Sequence, residues 1–198
     1  MIAVVDYRAG NLTSVKKALD HLRADAIVTG DPRVVAQADK IILPGVGHFS
    51  STAILEQAGL RTAILHRINH GVLFLGVCVG MQWMFECSAE APGIPGLGLF
   101  PGACRRFTES VKSPHVGWNS LTCHDESRLL RGIRSGSFVY FTHSYSAPVV
   151  KQTVARCEYG GEFSAVVEQD NLFGVQFHPE KSGALGLKLL ENFCCLSC

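Results

Sequence analysis

Apolar positions along this chain follow one rhythm up to about residue 75 and another after it. Ile2–Val5 is an unbroken apolar run of strand length, and Leu12, Val15, Leu19 and Leu22 then recur on one helical face. Asn11 stands where that helix needs an N-cap. Ala26–Thr29 and residues 40–43 read as the next strands. Ile54, Leu55, Leu60, Ile64 and Ile68 mark a helical region that ends at Gly71, and residues 72–75 form another strand. Strand–helix alternation of this kind predicts a parallel sheet with helices on both faces. Beyond a helix-like stretch at 81–85 and a turn-rich loop at 91–98, residues 137–141, 153–159, 163–168 and 172–177 look β-like, with hairpin spacing. A closing helix is expected over 182–193. The expectation is a three-layer α/β fold with a mixed, mostly parallel sheet, in one domain spanning residues 1–198.

Composition narrows the class. A chain of 198 residues buries roughly 70% of its unfolded surface, enough for one sizeable core. A net charge of +1 with scattered Lys and Arg makes nucleic acid and anionic membranes poor partners. The apolar start ends at Asp6 and lacks a basic flank, and no apolar run reaches the roughly 18 residues of a membrane span. A cytoplasmic location with reduced thiols is therefore expected for the eight cysteines. Cys195-Leu196-Ser197-Cys198 has C-x-x-C spacing but no second close pair to complete a zinc site, so mobile thiols are expected there, with no metal and no cofactor.

The chemistry gathers at strand ends. Cys78 lies in Gly76-Val77-Cys78-Val79-Gly80, between a strand and a helix-like segment. Flanking glycines permit the strained turn that lifts a nucleophile clear of a sheet, and amides at a helix start favour a thiolate. His178-Pro179-Glu180 follows the last β-like run, so His178 can carry the proton and Glu180 can orient the ring. Pro44-Gly45-Val46-Gly47 also follows a strand, leaving amides free to approach a substrate. An oxyanion hole needs two donors, and the natural pair is the Val79 N–H with one from Val46 or Gly47 in that turn. A buried Cys is commonly a small core hydrophobe, and a lone His after a strand is commonly structural. All three segments at ends of expected strands together point to cysteine acyl transfer.

These segments carry a resemblance that runs nearly end to end. Asp6-Tyr7 with Gly10-Asn11, the Pro-Gly-Val-Gly turn, Gly76 to Gln82, Pro101-Gly102, His115-Val116-Gly117-Trp118-Asn119, Tyr140 to Tyr145 and Gly174 to Ser182 resemble the class I (triad) glutamine amidotransferases. Within them, the His-Val-Gly-Trp-Asn and His-Pro-Glu-Lys-Ser segments are similar to the glutaminase subunits of imidazole glycerol phosphate synthases. The resemblance implies a flavodoxin-like fold and hydrolysis of glutamine through a Cys78 thioester, with His178 and Glu180 completing a triad. Gly45, Gly47, Val79, Gln82, Thr142, Ser144 and Tyr145 would surround the glutamine. Ammonia would pass to a (β/α)8-barrel synthase subunit in histidine biosynthesis, through a heterodimer contact that includes Asn11, Trp118, Tyr140 and Lys181. Arg8, Val79, Trp83 and Ser146 depart from the residues usual in the family. A paralogous glutaminase serving a related barrel in surface-sugar amination, a silent regulatory subunit and a free-standing cysteine hydrolase are the competing readings.

Overall fold

The computed structural model describes residues 1–124 and 127–197. The first half runs β1 (Ile2–Val5), α1 (Leu12–His21), β2 (Ala26–Thr29), α2 (Pro32–Val35), β3 (Lys40–Gly45), α3 (Ala53–Gln57), α4 (Leu60–Asn69), β4 (Leu73–Cys78) and α5 (Val79–Gln82). The second half runs β5 (Phe85–Ser88), β6 (Phe100–Arg106), β7 (His115–Ser120), β8 (Thr122–Cys123), β9 (Phe138–His143), β10 (Tyr145–Ser146), β11 (Thr153–Glu158), β12 (Glu162–Gln169), β13 (Leu172–Val175) and α6 (Gly183–Cys195).

One eight-stranded sheet, ordered β2-β1-β3-β4-β13-β12-β11-β8, organises the fold. Its first five strands are parallel, and the remainder is added antiparallel. Strands β1, β4 and β13 are buried along their whole length, which is why they read as continuous apolar runs rather than alternations. Helix placement follows from right-handed crossovers. The step from β1 to β2 moves one way along the sheet, while those from β2 to β3 and β3 to β4 move the other way. That puts α1 on one face and α2 to α4 on the opposite one. Helix α6 packs beside α1, and α2 beside α4.

Several boundaries differ from the sequence expectation, each for a local reason. Asn11 occupies the N-cap of α1 but makes no side-chain cap hydrogen bond, whereas Asp31 caps α2 by accepting from the Arg33 amide. The helical region at 54–68 is two helices, because Gly59 at φ +70° cannot continue the first. The helix expected over 81–85 stops at Gln82. Phe85 is taken instead into β5, where it pairs with Phe100 of β6. Strand β13 ends at Val175, so Gln176 and Phe177 lie beyond it. Strands β5, β6 and β7 had no sequence signal; Pro101 and Gly102 inside β6 argue against a strand, and the small β10-β6-β5 sheet tolerates them. A two-stranded ribbon of β7 and β9 completes the architecture. Among the described residues every cysteine is a free thiol; Cys198, the second half of the C-x-x-C pair, lies outside them. No helix is long and apolar enough to cross a membrane, among the described residues.

Backbone packing is close where β4 meets α5. A Cβ on Gly80 would fall 1.9 Å from the Leu43 carbonyl oxygen of β3, and one on Gly76 would fall 2.5 Å from the Gly80 carbonyl oxygen. Because the obstacle is backbone rather than a movable side chain, Gly80→Ala is expected to destabilise the protein by about 3 kcal/mol or more. Urea unfolding of the variant beside wild type measures it.

Candidate active site

Strands β3, β4 and β13 are neighbours and parallel, so the segments after them emerge side by side at one edge of the sheet. Gly45 is in register with Cys78, and Val175 with Val77. This adjacency gathers the Pro44–Gly47 turn, the Cys78 turn and His178 from positions far apart in the chain.

Cys78 is the last residue of β4 and adopts φ 54°, ψ −109°. A non-glycine residue there stores about 1–3 kcal/mol and persists only when its surroundings over-determine it. Here Gly76 and Gly80 let the backbones of β4, α5 and β3 close around the turn. Helix α5 is a single turn, and among the described residues Sγ accepts no cap hydrogen bond from it. The sulfur lies instead 3.6 Å from Gln176 Nε2 and 4.0 Å from the Thr142 carbonyl oxygen.

His178 and the Glu180 side chain are each about 1% exposed, and the ring Nδ1 lies 2.9 Å from Glu180 Oε1. A carboxylate only accepts, so Nδ1 carries the proton, and Nε2, also buried, is free to act on the thiol. Burial pulls the His178 pKa down, yet coupling to Cys78 and the bond to Glu180 more than offset it, and the net direction is upward. That favours the protonated ring over the neutral one. The backbone around His178 is pinned as well. Its N–H donates to the Tyr140 carbonyl at 2.9 Å, the Tyr140 N–H donates to Ser182 Oγ, and that hydroxyl donates to the His178 carbonyl at 2.7 Å.

A cleft over Cys78 is lined by Gly47, Val79, Gln82, Glu90, Thr142, His143, Ser144 and Tyr145. Gly45 is buried within β3 and Val46 is half-buried; neither lines the cleft, which leaves Gly47 and Val79 as the members of the expected oxyanion group that do. Gly47 sits at φ +100° with open space around its Cα. Both N–H groups of Gln82 are spent within the protein, on the Tyr145 carbonyl at 2.8 Å and Gln176 Oε1 at 3.1 Å. Sequence reasoning gave no role to Glu90, nor to His143 and Gln176 within the segments it singled out. Glu90 accepts the Phe49 amide at 2.7 Å from a turn-rich stretch that carried no chemical signal. His143 donates Nδ1–H to the Tyr145 carbonyl and lies 3.2 Å from His115 Nδ1.

The residues expected to face a partner lie on the β7–β9 ribbon and beside it. Trp118 pairs with Tyr140 across the ribbon, and Val116, Trp118 and Phe138 are 56%, 55% and 56% exposed on that face. Trp118 is therefore not a core residue. Lys181 Nζ sits 5.8 Å over the Tyr140 ring. Asn11 is half-buried at the start of α1, which packs on the Pro179–Lys181 turn.

A buried thiol on a strained strand–helix turn, with a carboxylate-oriented imidazole at the end of the neighbouring parallel strand, is the arrangement of an α/β cysteine acyl-transfer enzyme. The family model described as glutamine amidotransferase class-I matches residues 3–196, and the chain belongs to that family. It is 47% identical to the imidazole glycerol phosphate synthase subunit HisH of Methanothermobacter thermautotrophicus, over 98% of this chain and 97% of that one. It is 44% identical to the same-named subunit of Bacillus cereus, over 98% of this chain and 93% of that one. Among solved structures, a glutamine amidotransferase superposes at TM-score 0.76 and 18% identity, covering 98% of this chain and 97% of the other. PurLQS from Thermotoga maritima superposes at 0.76 and 22% identity, covering 97% and 96%. At these identities the two superpositions speak for the fold alone.

Burial drives the His143 pKa down to about 3 and that of His115 down to about 4. Between those values and the unfolded value near 6.5, the unfolded chain binds protons that the folded chain refuses, so stability must fall as pH falls. Urea unfolding from pH 6.5 to 4 should show a slope approaching about 1.4 kcal/mol per pH unit for each imidazole, and His143→Gln should remove one such contribution.

Proposed function

We propose that this chain is the glutaminase subunit of an imidazole glycerol phosphate synthase, working with a (β/α)8-barrel synthase subunit that consumes its ammonia in histidine biosynthesis. The observation that carries the reading is the placement of Cys78 and of the oriented His178–Glu180 pair after neighbouring parallel strands, in a chain this similar over its whole length to curated subunits of that synthase.

The geometry supports the following sequence of steps. His178 Nε2 takes the Cys78 proton while Glu180 holds the ring. The thiolate attacks the side-chain amide carbon of glutamine. Negative charge develops on the amide oxygen, which meets the Val79 N–H and an amide of the Pro44–Gly47 turn. His178 then protonates the departing nitrogen, releasing ammonia and leaving a γ-glutamyl thioester on Cys78. A water that gives its proton to His178 hydrolyses the thioester to glutamate. Gly47, Val79 and Gln82 border the glutamine, with Thr142, Ser144 and Tyr145 toward its amino-acid end. Since Gln82 has no spare N–H, its part is to hold Tyr145 and Gln176 in place. The steps call on no metal or cofactor.

For the partner contact we favour the exposed apolar face of Val116, Trp118 and Phe138, with Tyr140 and Lys181 near it and Asn11 at the start of α1, which packs on the Pro179–Lys181 turn. Contiguous exposed aromatics of this kind mark interaction surfaces. The face is close to the chemistry, because the Tyr140 carbonyl holds the His178 amide. The reading places the protein in the cytoplasm.

Glycine at position 47 lets a peptide in the oxyanion turn reorient at little cost, so the partner, loaded with the nucleotide substrate that in this reading takes up the ammonia, is expected to complete the hole. An oxyanion donor contributes on the order of 10²–10³-fold, so the isolated chain should hydrolyse glutamine slowly and gain by about that factor in the loaded complex. Equal rates with and without the partner would overturn the coupling. Cys78→Ala should abolish glutamine-dependent synthesis by the complex and spare synthesis from ammonium salts. Trp118→Ala should weaken association by about 2 kcal/mol, roughly 30-fold in Kd, by titration calorimetry.

A further inference from the structure

The steps above give no task to Gln176, a fully buried amide two residues ahead of His178. Burying an amide is costly unless its groups are used, so its partners indicate what it does. Gln82 Nε2 donates to Gln176 Oε1 at 3.1 Å, which assigns the oxygen to that side and turns Nε2 toward Cys78 Sγ at 3.6 Å.

The orientation is held from further back. The Tyr145 carbonyl receives the second N–H of Gln82 at 2.8 Å and the Nδ1–H of His143 at 2.9 Å. A carbonyl only accepts, so His143 Nε2 is left to accept from His115 Nδ1 at 3.2 Å, and His115 Nε2 to accept from Asn119 Nδ2 at 3.3 Å. One set of tautomers and amide orientations satisfies this whole line. Reversing Gln176 would set its N–H groups against those of Gln82 and its oxygen against the sulfur.

We propose that Gln176 is a positioning residue for the nucleophile: its amide N–H holds the Cys78 sulfur in the strained turn and favours the thiolate over the thiol. An N–H facing a neutral thiol is a weak hydrogen bond. Facing a thiolate it is charge-assisted, and the buried setting strengthens it. The preference for the charged form follows from that difference. The one-turn helix α5 offers Sγ no cap hydrogen bond among the described residues, so this donor takes the part that a longer helix start would have played. A purely packing role for Gln176 makes a different forecast: its loss would lower stability and leave the sulfur unchanged.

The effect on turnover rests on the glutaminase reading; the effect on the sulfur does not. The test uses the full chain with Gln176→Met, which keeps length and removes the N–H. Alkylation of Cys78 by iodoacetamide is followed across pH by mass spectrometry of the Cys78 peptide, alongside steady-state glutaminase kinetics of the chain in complex with the synthase subunit. The pH midpoint of alkylation should rise by about one unit, and kcat should fall about tenfold with little change in KM. If the variant does not fold, Gln82→Met removes the group that orients Gln176 and should move the midpoint the same way by less. An unmoved midpoint in the variant that folds overturns the proposal. Because alkylation needs no glutamine, a raised midpoint in a protein with no glutaminase activity would uphold Gln176 and sink the functional reading. An active glutaminase with an unmoved midpoint would do the reverse.

Discussion

Everything at the active edge depends on one close approach, that of the Cys78 turn to the backbone of β3. Cys78 holds a left-handed backbone conformation that an L-residue adopts only under constraint. The constraint is steric. Gly80 has no room for a Cβ against the Leu43 carbonyl, nor has Gly76 against the Gly80 carbonyl, so the three backbone segments interlock. The same contact brings Gly45 beside Cys78 and so sets where the Pro44–Gly47 turn begins. A side chain at any of these points would push the thiol out of line with His178.

Around that turn the protein separates two electrostatic environments. His178 has a carboxylate on one side and a sulfur on the other, and these outweigh its burial. His143 and His115 are buried without a carboxylate and are driven neutral. Neutrality lets each imidazole donate from one nitrogen and accept at the other, as a directional line of hydrogen bonds requires. Chemically similar rings thus take opposite character, charged more readily beyond the end of β13 and held neutral on β7 and β9.

The β7–β9 ribbon joins these environments to the surface. Its outer face presents Val116, Trp118 and Phe138, while its inner residues include Phe141, His115 and His143, all buried. Strand alternation makes this division, since neighbouring residues point to opposite faces. The main chain of Tyr140 bonds on both sides to the turn that carries His178, through His178 itself and Ser182. The ribbon is therefore tied to the His178 turn by two direct hydrogen bonds rather than through a long path.

Much of the fold and the central chemistry was legible in the sequence because their signals are local. Strands buried on both faces must be continuous apolar runs, and the strained elbow requires its glycines, so β1, β4 and the Cys78 turn announce themselves in a few residues. His178, Pro179 and Glu180 are likewise adjacent in the chain, and a two-residue spacing across proline suffices to bring carboxylate to ring. What only the tertiary structure decided was pairing between distant segments. Phe85 and Phe100 form a strand pair where the apolar pattern favoured a helix, because the partner strand outweighs local periodicity. Glu90, His143 and Gln176 become site residues because loops and neighbouring strands bring them to Phe49, Tyr145 and Cys78. The sequence by itself determined the sheet and the segments that its strand ends present. Their orientation, and the neutrality of the histidines that brace them, came from burial and long-range hydrogen bonds, which exist only once the chain has closed on itself.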